Sequence, residues 1–548
     1  MTPIVTHTSA TRTSHQRQRG VQRIRALPDW LCCLVLAALW LGCTAWLRPL
    51  AIPDEGRYVG VAWEMLNRGN WLVPTLDGLP FFHKPPLFYW ITASSMQVFG
   101  PSVAASRVAP WLASVCTVMA LFIFVKRWVG STHAWATVIV LATVPLFYGA
   151  AQYANLDLLV AACMTAAILL FAHAALARTQ GLTYHRSLAA AFLAAALGVL
   201  SKGLIGVAVP LLVLVTWGMA TRRLGKVVSL LMWAPGWLLF AAVATPWFIA
   251  MQERFPDFGH YFFVVQHLKR FASTGFNNAQ PWWFYPTVLL LLTLPWSPLL
   301  LDFLLRRRRV RFERSDVRTL MLTWCGVVVA FFSLPNSKLV GYILPALPPL
   351  AFLIADATRC LQERQRSGVE GRPVFPTMTF GKQFALTAGV AAVGCVALVV
   401  SAHFFQPKSR QVLAETLRSS MQLGEPVIFL DNFYYDVLFY ARLATPVSIV
   451  DRWPPAEVAK DSWRRELVDA ERFATTDSVR RLLRPEELEP ALCKVRSSWI
   501  IGPWPATSGP TWLAEQPPLY QSNGTALWHI VSSSASIRAT LQCSEPAG

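Results

Sequence analysis

The sequence predicts an α-helical polytopic membrane protein with an α/β domain at its C-terminal end. Of the 548 residues, 54% are hydrophobic and 14% are charged, whereas about 25% of the residues in a typical soluble domain are charged. Long apolar segments fill the chain to residue 404, and a mixed, charged composition follows. We therefore predict a transmembrane domain over residues 28–404 and a soluble domain over residues 405–548.

Apolar segments long enough to cross a bilayer, when soft boundaries are allowed, recur along the first domain. They cover residues 31–47, 103–125, 133–150, 158–177, 188–200, 204–220, 227–250, 283–305, 320–334, 339–355 and 384–403. No small-residue cleavage site follows the first of them, so it is interpreted as an anchor and not as a signal peptide. We expect an odd number of transmembrane helices, 11–13.

The positions of the basic residues predict the orientation of the chain in the membrane. The net charge of +19 could indicate nucleic-acid binding, but the lysines and arginines fall in short runs between apolar segments and not along one soluble face. Such runs mark cytoplasmic loops. They include residues 17–25, 126–127, 178–186, 222–226, 306–314 and 359–382. The basic N-terminus, residues 1–27, is then cytoplasmic, and the loop 49–102 and the C-terminal domain are periplasmic.

Two segments are ambiguous by length. Residues 86–100 are apolar but too few to cross a bilayer, which favours an interfacial or re-entrant helix. Residues 188–220 would make one long helix, but that choice would place the basic run 306–309 outside. We therefore predict a break at Ser201-Lys202-Gly203, with Lys202 on the outer face.

In the C-terminal domain, residues 426–431, 446–451 and 498–502 have the pattern of buried strands, and residues 434–442 and 476–483 that of helices. No glycine-rich phosphate loop is present. Cys493 and Cys543 lie in this domain, where an oxidising compartment permits a disulfide, although their spacing alone leaves the pairing open.

The predicted topology collects ionisable and polar side chains on the outer face. They are Asp54, Glu55, Arg57, His83, Lys84, Asp157, Lys202, Lys338 and Tyr342. Lysine and arginine at the interface are suited to hold a phosphate whose lipid tail stays in the bilayer, and a carboxylate can deprotonate or orient an acceptor. The set therefore indicates transfer from a lipid-linked phosphate donor.

Each of these residues has a structural alternative. Asp54 and Asp157 could cap the helices that follow them, and Glu55 could be a solvated first-turn charge. Lys84 could extend to the interface, Arg57 could pair with a nearby acid, and Tyr342 could anchor a span end. No cofactor is required by the predicted chemistry. The alternative is a divalent metal such as zinc, held by His83 and His267 with Glu253 or Asp257.

Five runs carry a family resemblance. They are residues 53–58 (PDEGRY), 82–87 (FHKPPL), 154–157 (ANLD), 260–271 (HYFFVVQHLKRF) and 337–345 (SKLVGYILP). Together they resemble the bacterial lipid A aminoarabinose transferases, which belong to the GT-C, protein-mannosyltransferase-like group. The resemblance covers the membrane region and a comparable soluble tail. One position departs from the family pattern, since His83 stands where those enzymes carry Glu.

The resemblance implies a glycosyltransferase of a Gram-negative inner membrane that moves 4-amino-4-deoxy-L-arabinose from undecaprenyl phosphate to lipid A phosphate on the periplasmic face. That reaction lowers the negative charge of lipid A and hence polymyxin binding. By motif, Asp54 and Asp157 are the key carboxylates, and Arg57, Lys84, Lys202 and Tyr342 surround the donor phosphate. Glu55 is a further candidate acid and Lys338 a further candidate ligand of the donor.

Two alternative functions remain open from the sequence. Another lipid-linked sugar could be transferred to protein Ser/Thr or to an O-antigen glycan. A lipid transporter or flippase, which belongs to a different class, would place ionisable residues near the middle of the membrane and show paired repeats. The polar set lies at one face, which favours an enzyme.

Overall fold

The computed structural model describes residues 27–269, 278–306, 315–366, 380–405, 409–474, 480–505 and 509–543. Helices occupy most of the chain as far as Phe404, and a six-stranded sheet with short helices follows. The change in architecture lies where the composition of the sequence changes. The predicted helical membrane region and C-terminal α/β domain are therefore both present.

The described residues up to Phe404 form 17 α-helices, a two-stranded hairpin, a π-helix and a 3-10 helix. The α-helices are α1 (Asp29–Gly42), α2 (Asp54–Arg68), α3 (Leu87–Phe99), α4 (Val103–Ser106), α5 (Val108–Trp128), α6 (Ser131–Ala142), α7 (Pro145–Ala151), α8 (Leu156–Thr179), α9 (His185–Lys202), α10 (Ile205–Ala220), α11 (Leu224–Leu231), α12 (Ala234–Arg254), α13 (Phe284–Leu292), α14 (Ser297–Arg306), α15 (Asp316–Ser333), α16 (Leu347–Arg366) and α17 (Phe380–Phe404). The hairpin pairs β1 (Thr75–Leu76) with β2 (Leu79–Pro80), and the π-helix and 3-10 helix are His260–Lys269 and Val340–Ala346.

Each predicted span coincides with one helix or with two consecutive ones. By length and composition, six helices of the described chain suffice to cross a membrane, namely α5, α8, α12, α15, α17 and the segment Val340–Cys360. The pair α6 and α7, bent by 71°, would be a seventh, and α1 and α10 are shorter apolar helices. The protein is therefore a multi-pass membrane protein, and the odd number of crossings stays a prediction.

The predicted break at Ser201-Lys202-Gly203 is confirmed. Helix α9 ends at Lys202, and Gly203 has a φ of +84°, in the left-handed region that glycine adopts at little cost. Helix α10 begins at Ile205 and packs back against α9 so closely that a Cβ on Gly206 would clash with the backbone of Gly198. The turn places Lys202 at the junction of two antiparallel helices.

The short apolar segment before Gly100 forms α3, whose 13 residues rise about 20 Å. That length is less than the roughly 30 Å of a bilayer's hydrocarbon core. Helix α3 packs against α2 through aromatic contacts, with the ring centroids of Tyr58 and Phe88 6.0 Å apart. Its length is consistent with the interfacial or re-entrant helix that we predict.

The C-terminal sheet has the strand order β5-β4-β3-β6-β8-β7. Its strands are β3 (Val427–Leu430), β4 (Ser448–Val450), β5 (Leu482–Leu483), β6 (Ser498–Pro503), β7 (Tyr520–Ser522) and β8 (Thr525–Ile530). The first four are parallel, and β8 and β7 add an antiparallel edge. The accompanying helices are α18 (Gln411–Ser420), α19 (Tyr435–Tyr440), α20 (Pro455–Val458), α21 (Trp463–Glu471), α22 (Leu488–Cys493), α23 (Thr511–Ala514) and α24 (Ala535–Thr540), with a 3-10 turn at Pro485–Glu487.

The three strands predicted in this domain are confirmed, as is the helix over residues 434–442. The helix predicted over residues 476–483 is wrong at its end, because Leu482–Leu483 forms β5 and pairs with β4. The buried Leu482 is drawn into the apolar core beside the sheet, and residues 475–479 lie outside the described chain. Cys493 and Cys543 form a disulfide, with their Cα atoms 5.5 Å apart.

The C-terminal domain sits on the loop 49–102, which connects α1 to the next long helices. The Trp63 indole donates to the Leu443 carbonyl at 3.1 Å, and the Val447 amide donates to the Asp77 carboxylate at 2.8 Å. The Leu50 amide donates to the Tyr440 hydroxyl at 2.8 Å. Because these bonds are buried, the two domains share one continuous interior.

Glu55 is the buried centre of that loop. Its side chain is fully buried and forms ion pairs with Arg48 and with Arg107, whose Nε and Nη2 lie 2.9 and 3.0 Å from the carboxylate oxygens. The amides of Ala51 and Ala154 also donate to it, at 2.8 and 2.7 Å. Burial alone would raise the pKa of Glu55, but the two guanidinium groups lower it to about 2.

Replacing Glu55 with Gln should strongly destabilise the protein, because two guanidinium groups would stay buried without a counter-charge. Breaking a buried ion pair in this way costs about 3–5 kcal/mol. Thermal unfolding in detergent measures the effect, with Asp29→Asn, which breaks the exposed pair with Lys126, as a control expected to change little.

The difference in stability between wild type and Glu55→Gln should depend on pH. A carboxyl pKa lowered from 4.5 to about 2 contributes stability that is complete above pH 4.5 and is lost as the pH falls towards 2. The gap in unfolding midpoint between wild type and Glu55→Gln should therefore narrow in acid. A gap that stays constant from neutral pH to the acid limit would contradict this assignment.

Candidate active site

A polar cavity of about 520 Å³ lies between the membrane domain and the C-terminal domain. Seven of the residues that we predict from the sequence line it, although they are distant along the chain. They are Asp54, Arg57, His83, Lys84, Asp157, Lys202 and Tyr342. The fold thus brings together both key carboxylates and three of the predicted phosphate-binding cations.

Asp54 is the first residue of α2. Pro53 occupies the N-cap position and no side chain caps the helix, so the capping explanation for Asp54 is wrong. The carboxylate is 36% exposed, and its Oδ1 lies 3.3 Å from Arg57 Nη1. The partial positive charge of the helix N-terminus favours an anion here. Asp54 therefore presents a carboxylate to the cavity from a fixed helix end.

Asp157 pairs with Lys202 inside the cavity. The Lys202 ammonium also lies 4.1 Å from the centroid of the Tyr342 ring, which adds a cation–π contact. Helix α8 is capped by Asn155, whose side-chain oxygen accepts a hydrogen bond from the Asp157 amide at 3.0 Å. Asp157 is therefore not the cap. The side chains come from the start of α8, the end of α9 and the 3-10 helix, and they meet only in the fold.

The C-terminal domain contributes a third group of cavity residues. Arg57 Nε lies 3.0 Å from Glu466 Oε2, and the Tyr435 hydroxyl donates to the same oxygen at 2.6 Å. Burial raises the pKa of Glu466, while Arg57 opposes that shift. The alternative that Arg57 pairs with an acid is therefore realised in this structure, and a role in phosphate binding stays a prediction.

Several cavity residues carry no signal in the sequence. They are Arg410, Asn432, Tyr435, Asp461, Trp463 and Glu466. The run from Trp463 to Glu471 has the pattern of an ordinary amphipathic helix of a soluble domain. Only the docking of that domain on the loop 49–102 turns its acidic face towards the membrane part of the site.

Glu55 and Lys338 do not line the cavity. Within the part of the chain that the structure describes, the polar contacts of Glu55 are with buried groups that hold the loop together. The Lys338 ammonium donates to the Gln280 carbonyl at 2.8 Å and is 4% exposed, so it fastens one segment of chain to another. The structure thus gives both residues a structural contact, and their predicted roles in chemistry are untested.

His83 packs against aromatic rings at the cavity wall. Its ring stacks on Phe81 with centroids 4.4 Å apart, and its Nε2 lies 2.8 Å from the Tyr261 hydroxyl. Across the described residues, no group of three or more His, Cys, Asp or Glu side chains is arranged to hold a metal ion. The side chain of His267 lies outside the described part. Whether the reaction uses a metal or another cofactor stays a prediction.

The arrangement is suited to hold an anion next to acids. Lys84 and Lys202 supply positive charge from the membrane domain, and Asp54 and Asp157 share the same cavity. Ionised donors form strong hydrogen bonds to phosphate oxygens, and fixed charges in a partly buried site interact more strongly than they do in water.

Comparison with known sequences identifies relatives of the membrane domain. Residues 83–249 match the family model described as dolichyl-phosphate-mannose-protein mannosyltransferase. The chain is 35% identical over 329 residues to an undecaprenyl phosphate-alpha-4-amino-4-deoxy-L-arabinose arabinosyl transferase of Shewanella sediminis, covering 59% of this chain and 58% of that one. It is 36% identical over 313 residues to the protein of that name from Erwinia tasmaniensis, covering 56% and 55%. The chain thus matches little more than half the length of these relatives.

Comparison with solved structures covers both domains. The crystal structure of ArnT from Cupriavidus metallidurans bound to undecaprenyl phosphate aligns with a TM-score of 0.75 at 22% identity, over 93% of this chain and 99% of that one. The oligosaccharyltransferase of Archaeoglobus fulgidus in its apo form aligns with a TM-score of 0.51 at 15% identity, over 76% and 64%. The chain therefore has the GT-C fold, as predicted.

Gly341 gives a test of the Asp157–Lys202 pair. A Cβ at position 341 would clash with the Asp157 carboxylate, so Gly341→Ala should displace that carboxylate from Lys202. Misplacement of a site group by about 1 Å can cost on the order of 10²-fold in rate. The transfer rate of the purified protein measures the loss. Gly326→Ala is the matched control, because a Cβ there meets no atom within 4 Å. Equal activity of the two variants would contradict a role for the Asp157–Lys202 pair in the transfer reaction.

Proposed function

We propose that this homologue of the aminoarabinose transferases, which shares their GT-C fold, moves 4-amino-4-deoxy-L-arabinose from undecaprenyl phosphate to a phosphate of lipid A. The observation that supports this most is the cavity itself, in which Lys84 and Lys202 of the membrane domain meet Asp54 and Asp157. A donor with a membrane-bound tail and a charged head group suits a cavity at this junction.

The change of charge on the donor gives the cations of the cavity a role in the reaction. The donor is a phosphate diester with one negative charge, and it leaves as a monoester that carries about one charge more. The bond between the sugar C1 and the donor phosphate oxygen breaks with its electron pair left on that oxygen. Positive groups fixed around the donor phosphate then stabilise the departing monoester more than the bound diester, which lowers the barrier. We assign this role to Lys84 and Lys202, with Arg57 and Tyr342 beside them.

The acceptor needs no general base. A lipid A phosphate monoester is largely ionised at neutral pH, so its oxygen forms the new bond to C1 without losing a proton. Glycosyl transfer passes through a transition state with positive charge on the sugar ring. The exposed Asp54 carboxylate is suited to orient the incoming group and to stabilise that charge. Asp157 holds Lys202 in place for the donor phosphate.

The C-terminal domain forms one wall of the same site. Glu466 reaches Arg57, and Tyr435 donates to Glu466, so the orientation of Arg57 depends on a contact between domains. We propose that this wall limits the access of water and shapes the pocket for the sugar. The domain therefore acts in substrate binding in addition to covering the loop 49–102.

The basic residues support a periplasmic site in a bacterial inner membrane. Helices α5 and α8 both run away from the Glu55 centre and end in Arg127 and Arg178. Arg223 lies beyond the far end of α10. Positive residues thus collect at the end opposite the cavity, and lysine and arginine mark the cytoplasmic side.

Mass spectrometry of lipid A tests the proposed function directly. Gram-negative cells that express this chain should contain lipid A carrying added 4-amino-4-deoxy-L-arabinose, provided the cells make the undecaprenyl-linked donor. Cells without the chain should lack the modification and should be more sensitive to polymyxin. Unmodified lipid A together with a glycosylated protein or O-antigen would show that the acceptor is a hydroxyl compound instead.

Asp54→Asn separates a catalytic role from a structural one. The amide keeps the size of the side chain and removes its charge, so folding should be preserved while turnover falls on the order of 10²–10³-fold. Asp257→Asn, which changes an exposed acid outside the cavity lining, is the control. Transfer at a near-normal rate by purified Asp54→Asn protein would exclude Asp54 from catalysis.

A further inference from the structure

We propose a second binding site, for the head group and one acyl chain of an anionic phospholipid, at the end of the membrane domain opposite the polar cavity. A separate cavity of about 520 Å³ lies there, at the turn from α5 to α6 and beside α16 and α17. Helix α5, with 21 residues, rises about 30 Å between the two sites. The second cavity therefore shares no residue with the site described above.

The polar end of this cavity is built to receive an anion. Helix α6 begins at Ser131 and no side chain caps it, and Ala134 is the first residue whose amide bonds to a carbonyl, that of Gly130 at 3.0 Å. The amides of the first turn and the helix dipole thus face the cavity with positive charge. Arg359, at the other wall, adds a guanidinium group.

His133 is the independent observation that indicates a ligand. The side chain lines the cavity and is 5% exposed, yet its Nε2 has no hydrogen-bond partner among the described residues. A buried polar atom without a partner costs free energy, which a phosphate oxygen at this position would recover. Two acids beside this end of α6 already have basic partners. Asp356 accepts from Arg318 at 2.7 and 3.0 Å, and Asp29, which accepts from the Ser131 hydroxyl at 3.0 Å, pairs with Lys126 at 2.7 Å.

An apolar groove continues from the polar end along α6. It is a cavity of about 280 Å³ that shares Trp135 and Ile139 with the first and extends to Ala142. These three residues lie on one face of the helix, and α1 and α17 supply the other walls. From Ser131 to Ala142 the helix rises about 16 Å. A polar pocket followed by an apolar channel fits a phospholipid and not a free phosphate ion.

The charge of the polar end selects among lipids. A phosphatidylglycerol head group carries net negative charge, which the helix N-terminus and Arg359 attract, whereas phosphatidylcholine brings its own cation into the same pocket. Basic pockets between transmembrane helices on the cytoplasmic side bind anionic head groups in this way. The proposed ligand is therefore an anionic phospholipid of the leaflet opposite the catalytic cavity.

Native mass spectrometry of the full-length protein, titrated in detergent with phosphatidylglycerol or with phosphatidylcholine of the same acyl chains, tests the proposal. The wild type should bind phosphatidylglycerol with an affinity at least about tenfold higher than its affinity for phosphatidylcholine. Arg359→Gln should remove most of that preference, and Ala136→Phe, which fills the cavity without changing charge, should abolish binding of both lipids at this site. Arg127→Gln, which changes an exposed cation outside the lining, is the matched control and should bind as wild type.

The outcomes are distinguishable. Equal binding of the two lipids, or phosphatidylglycerol binding that survives both Arg359→Gln and Ala136→Phe, overturns the site. Displacement of the lipid by inorganic phosphate alone overturns the role of the apolar groove, and preferential displacement by undecaprenyl phosphate overturns the choice of a phospholipid. Because none of these variants touches the catalytic cavity, unchanged transfer activity in Arg359→Gln is expected and separates this inference from the proposed function.

Discussion

A carboxylate in the interior of a protein is stable only when opposite charges and hydrogen-bond donors surround it, and the position of Glu55 depends on this rule. Two arginines and two backbone amides satisfy it, and they come from the segment between α1 and α2, from the residue that precedes α5 and from the segment before α8. The constraint fixes where α2 begins. Asp54 and Arg57, one residue before and two residues after Glu55, are therefore presented to the cavity by a buried ion-pair network.

The remaining cavity residues also lie at helix ends or in short turns. Asp157 follows the cap of α8, Lys202 closes α9 and Tyr342 lies in a 3-10 helix. Helix ends leave backbone groups unpaired and bring the chain to the edge of the membrane, so polar side chains are tolerated there at lower cost than within a span. Close approach of the backbone at Gly341 then brings Asp157 against the 3-10 helix.

The C-terminal domain both covers the loop 49–102 and completes the cavity, because buried polar contacts hold it in one position. Asp77 and Trp63 of the loop 49–102 bind its backbone, and Arg57 binds its Glu466. A domain held only by apolar contact could slide relative to the membrane part, whereas hydrogen bonds with defined geometry fix one arrangement. The cavity is therefore completed by residues that a truncated membrane domain would lack.

The sequence by itself determined the features that depend on local chemistry. Apolar length predicts the helices, the side required for the basic run 306–309 predicts the break between α9 and α10, and β-rich apolar runs predict three strands of the sheet. The motifs around Asp54, Lys84 and Asp157 indicate a shared site, because a positive-inside count places them on one face.

Only the tertiary structure decided the features that depend on distant partners. Neighbouring carboxylates at positions 54 and 55 are indistinguishable in sequence, yet one faces the cavity and the other is buried between Arg48 and Arg107. Leu482 joins a sheet because an adjacent strand offers it hydrogen bonds, although its own segment has a helical pattern. Glu466 enters the site only through domain docking. Local sequence encodes propensity and periodicity, whereas ion pairing and burial are set by residues that the chain brings together from far apart.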